Sequence, residues 1–325
     1  MTKLAYRKNS AAFEGGFTLI EVLVTLALIT IISLVVMGAL QPWIGFKQKL
    51  DNERKMQDIR QGILAFYRDN AMAIEAQPAQ RIGPFVNSSA SGGRCSEQLS
   101  AFVDTINYFN ESPDNLQRDG YANPWCIFVS PSLFVNVDGV PVWHRTIAFI
   151  SPGPNGTLEA GTRMNPNGTI ALDPDGDDQG VLISGLDVQV TKLRETQKRM
   201  DRVASAYETY FTARYLSNPA RDIGIYYFSK TYDPSGEVAS TAGGWKPVSS
   251  YLGFANSDGL SAWEGPQNAI ELANHNETES TSGLTVRSPA TTGTGVLPYT
   301  ALLRARIPAP SGQNLYISRV VVGTY

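Results

Sequence analysis

Residues 17–41 read FTLIEVLVTLALITIISLVVMGALQ, twenty-five positions with one ionisable group, Glu21. As a helix rising 1.5 Å per residue the run extends roughly 37 Å, more than the ~30 Å hydrocarbon core of a bilayer. A helix apolar on every side has no solvent face, which predicts a membrane span here. Pro42 follows at once and predicts an end or a kink. A lone ionised carboxylate in hydrocarbon costs roughly 2.5–3.5 kcal/mol on insertion scales. Glu21 therefore marks a function, and it needs a partner.

The sixteen residues before the run carry Lys3, Arg7 and Lys8 against Glu14. Excess positive charge stays on the cytoplasmic side, so this end is expected inside and the remainder exported. A cleaved secretory signal fits poorly. The run is long for one, no A-x-A site follows it, and the small residues Gly15 and Gly16 precede it.

The 325-residue chain is long enough for about two domains. Its formal charge of −3 supplies no basic field for nucleic acid. Gly (29) and Pro (19) point to loop-rich domains instead of a helical bundle. Over residues 47–75, Met56, Ile59, Ile63, Phe66 and Tyr67 recur on one helical face. Asp51, Glu53, Arg54, Lys55, Asp58, Arg60 and Arg68 occupy the others, and Gln77-Pro78 ends the helix. Strand signals follow in CIFVS, HRTIAFIS and GVLISGL. The helical pattern then returns at a constant offset of 144 residues, with Met200, Val203, Tyr207, Tyr210 and Phe211. Further strand signals come after it in IGIYYFS, LPYTALLRARI and NLYISRVVVGTY. A returning helix followed by strands predicts a duplicated helix-plus-sheet unit, with an unrelated C-terminal β domain as the other reading.

The two cysteines, Cys95 and Cys126, lie in the exported part and allow one intramolecular pairing in an oxidising compartment; two buried thiols are the other reading. Asp173, Asp175, Asp177 and Asp178 crowd a Pro/Gly turn. They suit either a hard cation or a solvated turn capping the strand at Val181. The spacing is not an EF-hand, whose terminal Glu is missing. Catalysis finds no support, so the chain is not expected to be an enzyme. His144 and His275 are the only histidines, neither cysteine has a nucleophile's motif, and no phosphate loop occurs. His144 reads as a core or edge-strand residue, and Asn155-Gly156 and Asn167-Gly168 as turns. The face with Lys192, Arg194, Lys198, Arg199 and Arg202 is broken by Glu195 and Asp201 and reads as solvated, which makes nucleic acid an improbable partner. Tyr226-Tyr227-Phe228, with Trp245 and Trp263, reads as core.

Gly16-Phe17-Thr18-Leu19-Ile20-Glu21, with a basic leader before it and an apolar helix after it, resembles the processing site of type IV pilins and type II secretion pseudopilins. The resemblance implies that a prepilin peptidase cuts between Gly16 and Phe17, that Phe17 becomes N-methylated, and that Glu21 pairs with a neighbouring subunit's terminal amine. Asp119-Gly120-Tyr121-Ala122-Asn123-Pro124-Trp125 is similar to the Asp-Pro-Trp-Gly-Asn-Pro-Tyr turn of major pseudopilins, departing at Gly120 and Ala122. Ile150-Ser151-Pro152-Gly153-Pro154-Asn155-Gly156 is similar to their next loop. Those proteins bind calcium in this region, so the resemblance implies the four aspartates as calcium ligands.

The fold expected is α+β. A 1–16 leader precedes a pilin helix with a transmembrane half (17–44) and an amphipathic half (45–77). A first antiparallel β-rich head (78–190), a second helix (191–218) and a second β-rich head (219–325) follow. The expected function is that of a minor filament or pseudopilus subunit, at the tip or as initiator. It would sit in the inner membrane with its heads periplasmic before reaching the filament or cell surface. Its partners would be the peptidase, other subunits and the inner-membrane assembly platform. The alternative is a tip adhesin recognising a surface, sugar or DNA through its C-terminal domain. Glu21 argues against the large secretion tip subunits, which commonly lack that carboxylate.

Overall fold

The computed structural model describes residues 18–91, 93–228, 244–249, 258–263, 268–274, 277–288 and 297–325. Positions 1–17, including Gly16 and Phe17, lie outside these, as does His275. Two compact units are present, 1–51 and 52–325. Helices combine with antiparallel sheets, as the α+β expectation required.

The first unit holds the start of helix α1, Leu19–Glu75. Its apolar side chains are exposed, Leu19 by 82%, Ile20 by 69% and Leu34 by 67%. Thr25 and Thr30 return their hydroxyls to the carbonyls of Glu21 (2.6 Å) and Leu26 (2.7 Å), leaving neither reaching outward for a partner. Among the described residues no helix is long and apolar enough to cross a membrane, so the span read over 17–44 rests on the sequence. Pro42 does not end the helix. A proline removes a single rung, and the neighbouring rungs carry the helix through. The departure from helical angles lies at Asn70 (φ −119°, ψ 16°), whose side-chain amide donates to the Phe66 carbonyl at 3.0 Å.

In the second unit α1 buries the face its periodicity marks: Ile59, Ile63 and Tyr67 are at most 1% exposed. They meet a three-stranded sheet of β1 (Cys126–Val129), β4 (Thr146–Ser151) and β5 (Gln179–Ser184), ordered β5-β4-β1 and antiparallel throughout. Between β1 and β4 lies a hairpin of β2 (Leu133–Val137) and β3 (Val140–His144). Asp138 and Gly139 both have positive φ at its tip (51° and 84°), the two-residue turn for which Asp-Gly is suited. Alternation along β4 divides the sheet's faces. Ile147 and Phe149 join the main core, whereas Ala148 and Ile150 join a small cluster around both cysteines. His144 is buried at the end of β3, as expected of a core residue, and burial lowers its pKa.

Helix α2 (Leu186–Ser217) starts five residues before the expected 191, its first amide bonded to Ser184 Oγ at 3.2 Å. Gly185 permits the approach: a Cβ there would lie 2.1 Å from the Tyr67 ring. Met200, Val203, Tyr207 and Phe211 form its buried face, again as the period predicts. They pack with a sheet of β6 (Lys246–Pro247), β7 (Glu271–Ala273), β8 (Thr300–Ile307) and β9 (Leu315–Val322) in sequential antiparallel order. Tyr226, Tyr227 and Phe228 are core residues but lie outside any strand, Tyr227 and Phe228 in a turn, where IGIYYFS predicts a strand.

Most of the charged residues on the two helices are exposed, Arg60, Arg68, Arg194, Lys198 and Arg202 among them, but four are engaged with the fold. Lys55 is buried and donates to the carbonyls of Arg118 (3.2 Å) and Asp119 (3.3 Å). Asp58 accepts from the Asn110 and Glu111 amides, both at 3.2 Å. On α2, Lys192 donates to Ala262 O (2.8 Å), and Arg199 to Leu260 O (3.2 Å) and Ser261 O (3.3 Å).

Candidate functional site

Three places gather the residues the sequence singles out. The first is the start of α1. Thr18 precedes Leu19, and its hydroxyl accepts the Glu21 amide at 3.3 Å. Glu21 Oε2 in turn accepts from the Thr18 amide and hydroxyl, each at 2.9 Å. This reciprocal arrangement is a capping box, legible as T-x-x-E yet absent from the sequence reading above. Glu21 thus closes the helix start within the chain, in addition to any role between chains.

The second is the turn 119–125, latched onto α1. Asp119 Oδ1 accepts the amides of Tyr121 (2.9 Å) and Asn123 (2.7 Å), and its Oδ2 accepts Ser151 Oγ at 2.6 Å. Burial raises the pKa of this carboxyl, against the pull of those donors. Asn52 of α1 accepts the Gly120 amide at 3.1 Å and donates to Gln179 Oε1 at 3.0 Å. Ala122, where the pseudopilin turn has glycine, sits at φ 68°. A left-handed non-glycine residue costs roughly 1–2 kcal/mol, and glycine's extra unfolded-state freedom returns about half. Ala122→Gly is expected to raise stability by about 0.5–1 kcal/mol in chemical denaturation; a lower midpoint would show that the turn prefers its methyl.

The third is an acidic cluster beside that turn. Asp177 and Asp178 converge with Glu159, their oxygens within 4.8 Å of one another. Each carboxylate has one oriented oxygen. Glu159 Oε1 accepts Asn155 Nδ2 (2.8 Å), Asp177 Oδ2 the Asn155 amide (3.2 Å), and Asp178 Oδ2 the Glu159 amide (3.1 Å). The remaining oxygens, Glu159 Oε2, Asp177 Oδ1 and Asp178 Oδ1, are buried without a hydrogen-bond partner among the described residues. Three unsatisfied anionic oxygens at this spacing repel one another, and a hard cation would satisfy all three. The cluster can hold a metal. Asp173 and Asp175 are not part of it. Asp173 closes the local turn, its Oδ1 on the Asp175 amide (3.1 Å) and its Oδ2 on the Gly161 amide (3.2 Å). The sequence reading missed Glu159, an isolated acid eighteen positions upstream of Asp177.

Cys95 and Cys126 form a disulfide with a Cα–Cα distance of 5.2 Å. Asn155 and Asn167 lie in exposed turns, as expected.

Residues 13–37 match the family model of the prokaryotic N-terminal methylation motif, the hallmark of type IV pilins and pseudopilins. With Glu21 at the head of an apolar helix, the motif supports a type IV pilin-like precursor, a membrane-anchored or surface-filament protein. It implies processing by a prepilin peptidase and assembly with other pilin subunits. No curated protein and no solved structure matches the chain.

Proposed function

We propose that the protein is a minor subunit of a type IV filament or secretion pseudopilus, cut by the prepilin peptidase between Gly16 and Phe17 and N-methylated on Phe17. The methylation motif over 13–37 carries this reading. The apolar run 17–41 supports membrane anchoring with the basic leader in the cytoplasm. Glu21, the fifth residue after the cut, would meet the Phe17 amine of a neighbouring subunit. Two groups each costly in lipid offset one another there, so the pair favours assembly in register. The size of the exported part supports a minor position: a helix and four-stranded sheet beyond the first head would crowd a repeating shaft. That helix and sheet are read as a second, pilin-like head.

Mass spectrometry of membrane-derived protein, with and without co-expressed peptidase, tests the reading. A chain starting at Phe17 with one added methyl supports it; an uncut chain in both samples overturns it. Glu21→Ala is then expected to be processed normally yet lost from sheared filaments, and its undiminished incorporation would exclude the docking role. Because Glu21 also caps α1, Glu21→Gln serves as the companion variant: it can retain a cap hydrogen bond but not the charge.

The acidic cluster is read as a calcium site held by Glu159, Asp177 and Asp178. Calcium at a hundredfold over its Kd would stabilise the fold by about 2.7 kcal/mol. Calcium is expected to raise the midpoint of the full chain and EDTA to reverse it, with Glu159→Gln abolishing the response. A midpoint indifferent to calcium would reduce the cluster to a turn.

A further inference from the structure

From the free edge of β9 we infer a docking slot for one extended peptide strand carrying a cationic side chain. The inference goes beyond the filament reading and does not depend on N-terminal processing. β9 is the last strand of its sheet, with β8 as its sole strand neighbour among the described residues. A cleft of about 510 Å³ runs beside it, lined by the consecutive residues Tyr316, Ile317, Ser318 and Arg319. Their side chains leave the strand on opposite faces. Arg319 pairs with Asp201 of α2 (3.2 Å), and the buried Ile317 lies on that same face. On the other face Tyr316 lies 4.3 Å from the Arg304 guanidinium, and Ser318 Oγ donates to Glu279 at 2.9 Å. A cavity touched by successive residues from both faces must lie off the strand's edge, where backbone groups point.

The register identifies those groups. The Tyr316 amide turns away from β8, since it meets Thr281 Oγ1 at 3.3 Å. In an antiparallel ladder both backbone groups of alternate residues turn the same way, so Ser318 and Val320 also face the cleft side. The single hydroxyl on Tyr316 is a long, weak substitute for a ladder partner. Beside the side chains of Thr281 and Ser282, β9 carries none of the guards built into a strand. It runs eight residues in unbroken register, without proline or bulge, and Arg319, its one charge, is neutralised by Asp201.

The walls decide what fits. The tip of the β2–β3 hairpin, Asp138 to Pro141, lines the slot together with Thr281 and Ser282 and with Gln197 and Met200 of α2. A second copy would bring its own walled edge, so two whole sheets cannot meet here, whereas one extended segment can enter. Strand addition supplies affinity through main-chain hydrogen bonds and specificity through side-chain contacts. Asp138 is exposed at the slot and makes no salt bridge among the described residues, which selects a cationic side chain on the incoming strand.

The test uses the full-length protein in detergent with the synthetic peptide acetyl-KTVTVT-amide, followed by isothermal titration calorimetry and hydrogen exchange. Binding is expected to slow exchange within 315–322 by about tenfold. N-methylating alternate peptide amides is expected to abolish binding. Asp138→Asn, which tolerates a left-handed backbone, is expected to weaken it about threefold, the size of an exposed ion pair, while leaving acetyl-ETVTVT-amide unchanged. Absence of binding at millimolar peptide overturns the inference. So does binding that leaves 315–322 unprotected, or that tolerates N-methylation. Protection of that strand by self-association without peptide would make the edge a dimer contact and overturn it equally.

Discussion

Arg145→Ala is expected to destabilise the fold by roughly 3–5 kcal/mol, read as a lower denaturant midpoint at unchanged slope. The side chain is 3% exposed and lies 3.9 Å from Glu75, which is fully buried. Its guanidinium donates to the carbonyls of Gln77 (2.5 Å) and Ala79, just beyond the end of α1. Glu75, in the last turn of α1, accepts Tyr67 Oη and Ser132 Oγ, the latter at 2.9 Å. Tyr67 Oη accepts the Arg145 amide at 3.1 Å, which closes the network. Alanine removes the cation and leaves a buried carboxylate and two carbonyls without it, and breaking a buried pair costs far more than the pair contributes. The double variant Arg145→Met with Glu75→Gln is expected to recover more than half of the loss, because no unpaired charge is then left behind. Equal stability of single and double variants would locate the cost in packing.

The same network gives the pH dependence a sign. Burial raises the Glu75 carboxyl and holds the Tyr67 phenol well above its usual range, and it lowers the Arg145 guanidinium. A carboxyl whose folded pKa exceeds its unfolded one contributes stability below the unfolded value, about 4.3, and loses it as pH rises through the folded value. Glu75 therefore favours the fold on the acid side, opposite to a salt-bridged surface acid. In Glu75→Gln this contribution is absent.

Elements whose physics is local were legible in the sequence. Ile59, Ile63 and Tyr67 on α1, and Met200, Val203, Tyr207 and Phe211 on α2, follow from helical period alone. The strands at Cys126–Val129, Thr146–Ser151 and Gln179–Ser184 follow from β-branched runs between turns. What stayed hidden depends on partners distant in the chain. Lys55, read only as lying off the apolar face, gives no sign of its burial because nothing near it announces the carbonyls of Arg118 and Asp119. Glu159 carries no spacing signal, since the loop 152–178 must fold before it meets Asp177 and Asp178. Of the four aspartates, Asp173 commits its carboxylate to the amides of Asp175 and Gly161, and Asp175 lies exposed outside the cluster. Tyr226-Tyr227-Phe228 has the composition of a strand, yet it lies outside any strand with its rings packed against α2, those of Phe211 and Phe228 4.5 Å apart. Composition reports burial there and leaves backbone form to the neighbours.

Loss of the Cys95–Cys126 bond is expected to cost roughly 3–4 kcal/mol, the loop-closure entropy of about thirty residues. The measurement is chemical denaturation of Cys95→Ser/Cys126→Ser against the parent. The site makes this cost hard to absorb. The bond lies on the sheet face away from α1, in a small cluster of the two cysteines, Ala148 and Ile150, fringed by partly buried side chains such as Phe128 and Leu158. So small a core cannot hold the surrounding loops by apolar burial alone. Cys95 ends a short antiparallel ladder, Ala90–Ser91 against Arg94–Cys95, which also positions the acidic cluster, because Leu158 donates its amide to Gly93 O at 2.7 Å immediately before Glu159. Releasing Cys95 from Cys126 loosens the segment that brings Glu159 to Asp177 and Asp178. If the cluster holds calcium as proposed, the double variant is expected to show no stabilisation by calcium, whereas Arg145→Ala, acting on the other face of the sheet, keeps the parent's response to calcium while losing stability. If calcium stabilises the double variant as strongly as the parent, the acidic cluster is built without the disulfide, and the cross-link acts on the unfolded chain alone.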